Sequence, residues 1–210
     1  MTLPAATDRG AGSSGPAVMA DGTVQSISTG FGSNLDAATL ARARRGDMQA
    51  FAAIYRLYGR ACYNLALRIL GQPAAAEDMV QDVFVRLIER IASYRGDAPF
   101  GAWLKRMASN AIIDALRHRA YREVGDDDAV AAAVETGAGA DAKIDAWTLL
   151  QRLSPRSRAI VVLSQWEGYT HLELGQRFGQ SESWSKSILS RAMHQIKIGG
   201  SETDKGSGNE

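Results

Sequence analysis

The sequence predicts an all-α protein: two small helical domains joined by a flexible acidic linker. Three observations carry that reading. Apolar residues recur at spacings of three and four rather than two, Gly and Pro fall at the ends of the periodic segments, and charge changes sign along the chain. The net charge of +1 over 210 residues conceals the last of these. From Gly101 to Glu123 five bases face two acids, from Asp126 to Asp145 six acids face one base, and from Gln151 to Ile198 seven bases face three acids. Two basic blocks around an acidic one suggest two polyanion-facing modules held by a repelling linker.

Residues 1–33 are rich in Gly, Ser, Ala and Thr and lack hydrophobic periodicity, so they are expected to be a disordered extension. Met19 is a second position at which translation can begin. The first folded block is expected over 34–122. Asp47 caps a helix that carries Phe51, Ile54, Tyr58 and Leu65 and stops at Gly71. Pro73 starts the next, with an apolar stripe of Val80, Phe84, Leu87 and Ile91. Phe84 is expected in the core. That helix breaks near Tyr94–Asp97, and Pro99 opens another bearing Trp103, Met107, Ile112 and Leu116. Trp103, four residues before Met107, is expected to be core rather than a base-stacking platform.

Residues 123–142 hold Asp, Gly and Ala with scattered Val and read as the linker. The second block is expected over 143–198, with a polar, disordered tail over 199–210. Asp145–Leu153 is amphipathic, Ser154-Pro155 restarts a helix through Ile160, Val161 and Leu163, and Gly168 ends it. Thr170-His171-Leu172-Glu173 fits a capping box. A short helix to Phe178, a Gly179-Gln180-Ser181 turn and a longer helix to about Ile198 make a helix-turn-helix. Gly175 lets its two helices approach, and Leu174 and Phe178 supply their shared core.

No enzyme is expected. The sequence has no metal-ligand spacing of His, Cys and carboxylates, no glycine-rich phosphate loop and no nucleophile elbow. No cofactor, metal or catalytic residue follows from it. His118, His171 and His194 lie at helix ends or on polar faces. Cys62, the single cysteine, sits among Tyr63, Leu65 and Leu67 and reads as a buried, inert thiol. With no apolar run of membrane-span length and no signal-peptide plan, the expected location is the cytoplasm, without membrane insertion.

Three segments carry a resemblance. Ala76-Glu77-Asp78-Met79-Val80-Gln81-Asp82-Val83-Phe84 is followed by Tyr94-Arg95-Gly96-Asp97-Ala98-Pro99-Phe100-Gly101-Ala102-Trp103-Leu104 and by Ala108-Ser109-Asn110-Ala111-Ile112-Ile113-Asp114-Ala115-Leu116-Arg117. These resemble the second region of bacterial extracytoplasmic-function (ECF) sigma factors of the sigma-70 family. Leu153-Ser154-Pro155-Arg156-Ser157-Arg158 and the helix-turn-helix resemble the fourth region. The resemblance implies a subunit that binds core RNA polymerase, at its clamp and flap, and directs promoter recognition, melting and transcription initiation. An anti-sigma factor is a further possible partner. The alternative is a stand-alone helix-turn-helix regulator, which leaves the first block unexplained.

The same resemblance implies site residues. Asp78, Gln81, Asp82 and Arg86, on the face opposite the apolar stripe, would bind polymerase. Tyr94, Arg95, Phe100, Lys105, Arg106, Asn110, Arg117 and Arg119 would hold the unpaired strand of the minus-ten element. Arg106, Asn110, Ile113 and Arg117 line one ridge at helical spacing. Asn110 is the best base reader there, since its amide donates and accepts together. Ser183, Lys186, Ser187, Ser190 and Arg191 would contact the minus-thirty-five element. The acidic linker resembles the segment that threads toward the polymerase active site and RNA channel in related factors. One departure stands out: Trp184-Ser185-Lys186-Ser187-Ile188 replaces the family's small residue, apolar residue, Lys, Ser and Arg. Ile188 is therefore expected to face the DNA groove in place of a cation, unless Trp184 has rotated the helix and buried it.

Overall fold

In a computed structural model the described residues are 30–122 and 146–204, with side chains described for 30–118 and 146–198. The expected linker at 123–142 lies outside them, as do residues 1–29 of the expected extension and the end of the tail. All regular structure among the described residues is helical: α1 Ala37–Arg44, α2 Met48–Leu70, α3 Pro73–Arg90, a 3-10 turn Ile91–Ser93, α4 Phe100–Arg122, α5 Ala146–Gln151, α6 Pro155–Gln165, α7 His171–Phe178 and α8 Glu182–Asp204.

Local chemistry fixes the helix ends. The Asp47 carboxylate accepts from the backbone N–H groups of Gln49 and Ala50, at 2.8 and 3.3 Å, and so caps α2. Gly71 closes α2 in the left-handed region, φ 78°, its N–H donating to the Leu67 carbonyl. Pro73 occupies the first turn of α3, where a missing N–H costs nothing. Helix α1 was not anticipated, although its cap is legible: Asp36 accepts from the Thr39 N–H at 2.7 Å.

Both boundaries of the expected extension and tail shift. Residues 30–33 belong to the fold, because Phe31 is buried, stacks on Tyr58, and is followed by Ser33, whose carbonyl accepts from the Tyr58 hydroxyl at 2.5 Å. A Cβ on Gly101 would lie 1.9 Å from the Phe31 carbonyl oxygen, so this close approach requires glycine. At the other end α8 runs to Asp204, past the expected stop near Ile198. No proline intervenes there, and continuing a helix already begun is easier than starting one, even through Gly199 and Gly200.

Helices α2, α3 and α4 pack together through Ile54, Tyr58, Leu65, Val83, Leu87, Leu104 and Ile112, all fully or nearly fully buried. Phe84 is only partly buried and meets the exposed Tyr55 edge-on, with ring centroids 4.9 Å apart. In the second unit Ile160, Leu163, Leu174 and Phe178 form the centre, joined by Ile188 and Ala192 of α8.

The two units also pack on each other, α2 against α6 and α4 against α7. Arg158 of α6 is buried, and two backbone carbonyls and a side-chain amide hold it. Its Nε donates to the Ile69 carbonyl at 3.0 Å, one terminal nitrogen to the Leu70 carbonyl at 3.0 Å, and the other to Gln151 Oε1 at 2.7 Å. The last carbonyls of a helix have no partner within it and carry its negative pole. The guanidinium thus caps α2 from the other unit, while burial holds its pKa below the usual arginine value.

Candidate nucleic-acid interface

Helix α4 buries Leu104, Met107, Ala108, Ala111 and Ile112 against α2 and α3, which turns Arg106, Asn110 and Arg117 the other way. Arg106 and Arg117 are exposed and Asn110 is half-buried. Ile113, expected on the same ridge, is 1% exposed, because it lies at the floor of a cleft between α4 and α7. The cleft has a volume of about 340 Å³, and α7 contributes Glu173, Gln176 and Arg177 to its lining.

The α4 ridge is engaged by the second unit. Arg177 donates to the Asn110 side-chain oxygen, and Arg117 donates to the Arg177 carbonyl at 3.3 Å. Lys105, half-buried, pairs with Glu167 at 3.1 Å, where the Glu167 side chain is 1% exposed. Glu173 is held below the usual carboxylate pKa, chiefly by hydrogen bonds from Thr170 and further by the nearby charges of Arg106 and Arg177. Glu167 and Arg177 carry no mark in a single-helix reading, and Glu173 is marked there only as a cap; their place beside α4 depends on a packing between units that periodicity does not encode.

Two expected strand-binding residues are corrected. Tyr94 and Phe100 are buried, 9% and 6% exposed, and stack edge-to-face with centroids 5.3 Å apart. The Tyr94 hydroxyl donates to the Ala98 carbonyl at 2.6 Å, so this ring closes its own loop rather than offering a face to a base. Trp103 packs on both rings, as expected of a core residue. Arg95 stays exposed at the loop. The side chain of Arg119 lies outside those described.

Helix α7, the first of the helix-turn-helix, is entered through a capping box: Thr170 Oγ1 accepts from the Glu173 N–H at 3.2 Å, and Glu173 accepts from the Thr170 N–H at 2.9 Å. A Cβ on Gly175 would sit 2.7 Å from the Ser181 carbonyl oxygen, so α7 and α8 meet as closely as expected. Along α8, Ser185, Ile188 and Ala192 face inward. Ser183, Lys186, Ser187, Ser190 and Arg191 all face solvent, and Lys186 pairs with Glu182 at 2.6 Å. Ile188 is 5% exposed, which overturns its expected place in the groove. Trp184 packs against Phe178 at 5.4 Å with the Arg156 guanidinium over its ring, on the same helix that turns Ile188 inward.

On α3, Asp78 and Gln81 are exposed while Asp82 and Arg86 are half-buried. Arg86 joins Asp82 at 3.0 Å to Asp114 of α4 at 3.3 Å. Cys62 is buried, its thiol pushed up to about 12 by loss of hydration. Among the described residues no cluster of His, Cys, Asp and Glu could hold a metal ion, and no helix is long and apolar enough to cross a membrane.

Residues 54–122 match the family model for sigma-70 region 2, and residues 149–197 match that for sigma-70 region 4, together more than half of the chain. The chain belongs to the sigma-70 family, as an ECF RNA polymerase sigma factor. It is 29% identical over 161 residues to the ECF sigma factor SigM of Mycobacterium tuberculosis, covering 77% of this chain and 82% of SigM. It is likewise 29% identical over 160 residues to the sigma factor CarQ of Myxococcus xanthus, covering 74% and 92%. A solved structure of the sigma factor RpoE in complex with the anti-sigma factor NepR, from Bartonella quintana, aligns at 21% identity and a TM-score of 0.46, covering 71% of this chain and 96% of that one. In sigma-factor terms α3 and α4 fall in region 2, and α6, α7 and most of α8 fall in region 4. The reading as a stand-alone regulator is not favoured, since it leaves the region 2 match without a purpose.

Proposed function

We propose that this sigma factor binds core RNA polymerase through the α3 face of Asp78, Gln81, Asp82 and Arg86, and reads promoter DNA with α4 and α8. One observation carries the DNA side. Helix α8 buries a stripe of Ser185, Ile188 and Ala192, and so turns a continuous polar and basic face, from Ser183 to Arg191, to solvent. A helix of this kind after a tight turn fits the major groove, with Lys186 and Arg191 suited to phosphates or base edges. The folded units of this proposal run from about 30 to 122 and from 146 to 204, and the linker between them keeps its proposed path toward the RNA channel. An anti-sigma protein that grips both units is a further partner within the same reading.

On α4, Arg106 and Arg117 supply the phosphate track and Asn110 the base contact, joined by Arg95 from the preceding loop and by Lys105. Tyr94 and Phe100 then act indirectly, by fixing the loop that presents Arg95. Asn110→Ala tests the assignment. Losing a paired base contact costs roughly 1–3 kcal/mol of discrimination. Permanganate footprinting on matched and mismatched minus-ten elements should show reduced opening and blurred selectivity, with polymerase binding retained. Equal opening and equal selectivity in mutant and wild type would reject the role.

A further inference from the structure

The loop that presents Arg95 is anchored at both ends and open between them. Tyr94 and Phe100 are buried, whereas Arg95, Gly96, Asp97, Ala98 and Pro99 are all exposed. The direction in which the open residues project is therefore set by how the two rings are held. Part of that hold lies within the region 2 match: Trp103 packs 5.3 Å from the Tyr94 ring and 5.6 Å from that of Phe100. A further part comes from residues that precede the match, which begins at residue 54.

At the far end of the loop, Phe100 rests on Tyr58, with ring centroids 5.7 Å apart. Tyr58 is fixed in turn by the stacked Phe31 ring at 6.5 Å and by the Ser33 carbonyl, which accepts from its hydroxyl at 2.5 Å. Phe31 reaches this place because the residue after Phe100 is Gly101, where a Cβ would collide with the Phe31 carbonyl. At the near end, the Arg44 guanidinium of α1 donates to the Tyr94 carbonyl and lies over the Tyr94 ring, 5.9 Å from its centroid. That carbonyl belongs to the planar peptide leading into Arg95, so holding its oxygen sets how Arg95 leaves the core. Tyr94 passes the constraint on, since its hydroxyl donates to the Ala98 carbonyl across the loop.

We propose that the segment 31–44 is a positioning brace for the strand-reading loop. Phe31 acts through Tyr58 on the Phe100 end and Arg44 acts on the Tyr94 end, so that Arg95 meets the unpaired minus-ten strand in a ready geometry. The proposal rests on the assignment of Arg95 made above. Neither Phe31 nor Arg44 touches the strand; each acts through a ring of the loop. An unbraced loop holds the reading geometry in only a fraction of molecules, and apparent affinity falls by that fraction.

The test uses the full chain with a nitroxide at Asp97→Cys, an exposed loop position, while buried Cys62 stays unlabelled. Without DNA or polymerase, the label should be restricted in the otherwise wild-type chain and more mobile in Phe31→Ala and in Arg44→Ala. Arg44 is exposed, so its removal spares the core, and melting curves check that both variants fold. Unlabelled Arg44→Ala should lose roughly three- to tenfold in opening of a matched minus-ten element, as the competent loop falls to a tenth to a third of the population. Its co-elution with core polymerase should be unchanged. Arg44→Lys, which keeps a donor but not the planar face, should recover part of the loss. A label equally mobile in wild type and in folded Arg44→Ala overturns the brace. Arg95→Ala separates the two readings. If it opens promoters as wild type does, the assignment of Arg95 fails and the proposal falls with it. If it loses opening while folded Arg44→Ala keeps it, the brace alone fails.

Discussion

Ser185 Oγ lies 3.0 Å from His171 Nδ1, which ties the first residue of α7 to the buried face of α8. This bond explains how a hydroxyl is tolerated in the core of this unit, where Ser185 is fully buried. A buried polar group costs little once it is paired. It also settles the orientation of α8, since burying Ser185 brings Ile188 inward one turn later.

Ile188→Arg is therefore expected to destabilise the region 4 unit, by roughly 3–5 kcal/mol, because it leaves a charge in an apolar core. Thermal melting of the full chain checks this. A melting temperature within a degree of wild type would return Ile188 to the groove. Lys186→Ala, at an exposed position, should leave the melting temperature alone and weaken DNA binding with a shallower salt dependence.

Thr170→Ala removes the hydroxyl that caps α7 and is expected to cost about 1 kcal/mol. The same box gives a pH signature through Glu173. Its pKa is lowered on folding from the ordinary 4.5, mainly by the Thr170 hydrogen bonds. A carboxylate of depressed pKa contributes stability that is complete above its unfolded value and is lost as pH falls through the folded one. Wild type should therefore lose this contribution below about pH 4.5, and Thr170→Ala should lose less of it. Melting curves from pH 6 to 3 that run parallel for the two proteins would contradict the assignment.

Asp82→Arg should abolish co-elution with core polymerase and leave helicity unchanged. Asp82 is half-exposed and paired with Arg86 at 3.0 Å, and such surface pairs contribute only about 0–1 kcal/mol. The reversal also replaces the Asp82 carboxylate with a second cation beside Arg86, so a small loss of stability accompanies the large loss of binding. Undiminished co-elution would move the polymerase surface off α3.

Much of the fold was legible because it is written in short-range signals. Asp47, Gly71, Pro73 and the Thr170–Glu173 box mark helix ends with side chains that act within a turn of their own position. The stripe on α3 was legible in part: Val80, Leu87 and Ile91 are buried, but Phe84 sits at the edge against Tyr55 while Ala76, Met79 and Val83 do the packing. Tyr94 and Phe100 misled because aromatic residues in a loop beside bases look like stacking platforms. Their burial depends on Trp103 and Tyr58, which only the folded chain brings to them. Arg158 and Arg177 were illegible as contacts between the two units for the same reason, since their partners lie 89 and 67 residues away.

The most direct measurement is transcription by core RNA polymerase, with and without the purified chain, on a pool of promoter fragments with start sites read by sequencing. The account predicts initiation at defined positions that share a minus-ten and a minus-thirty-five element, appearing only when the chain is added and lost with Asp82→Arg. The same scattered start sites with and without the chain would contradict it.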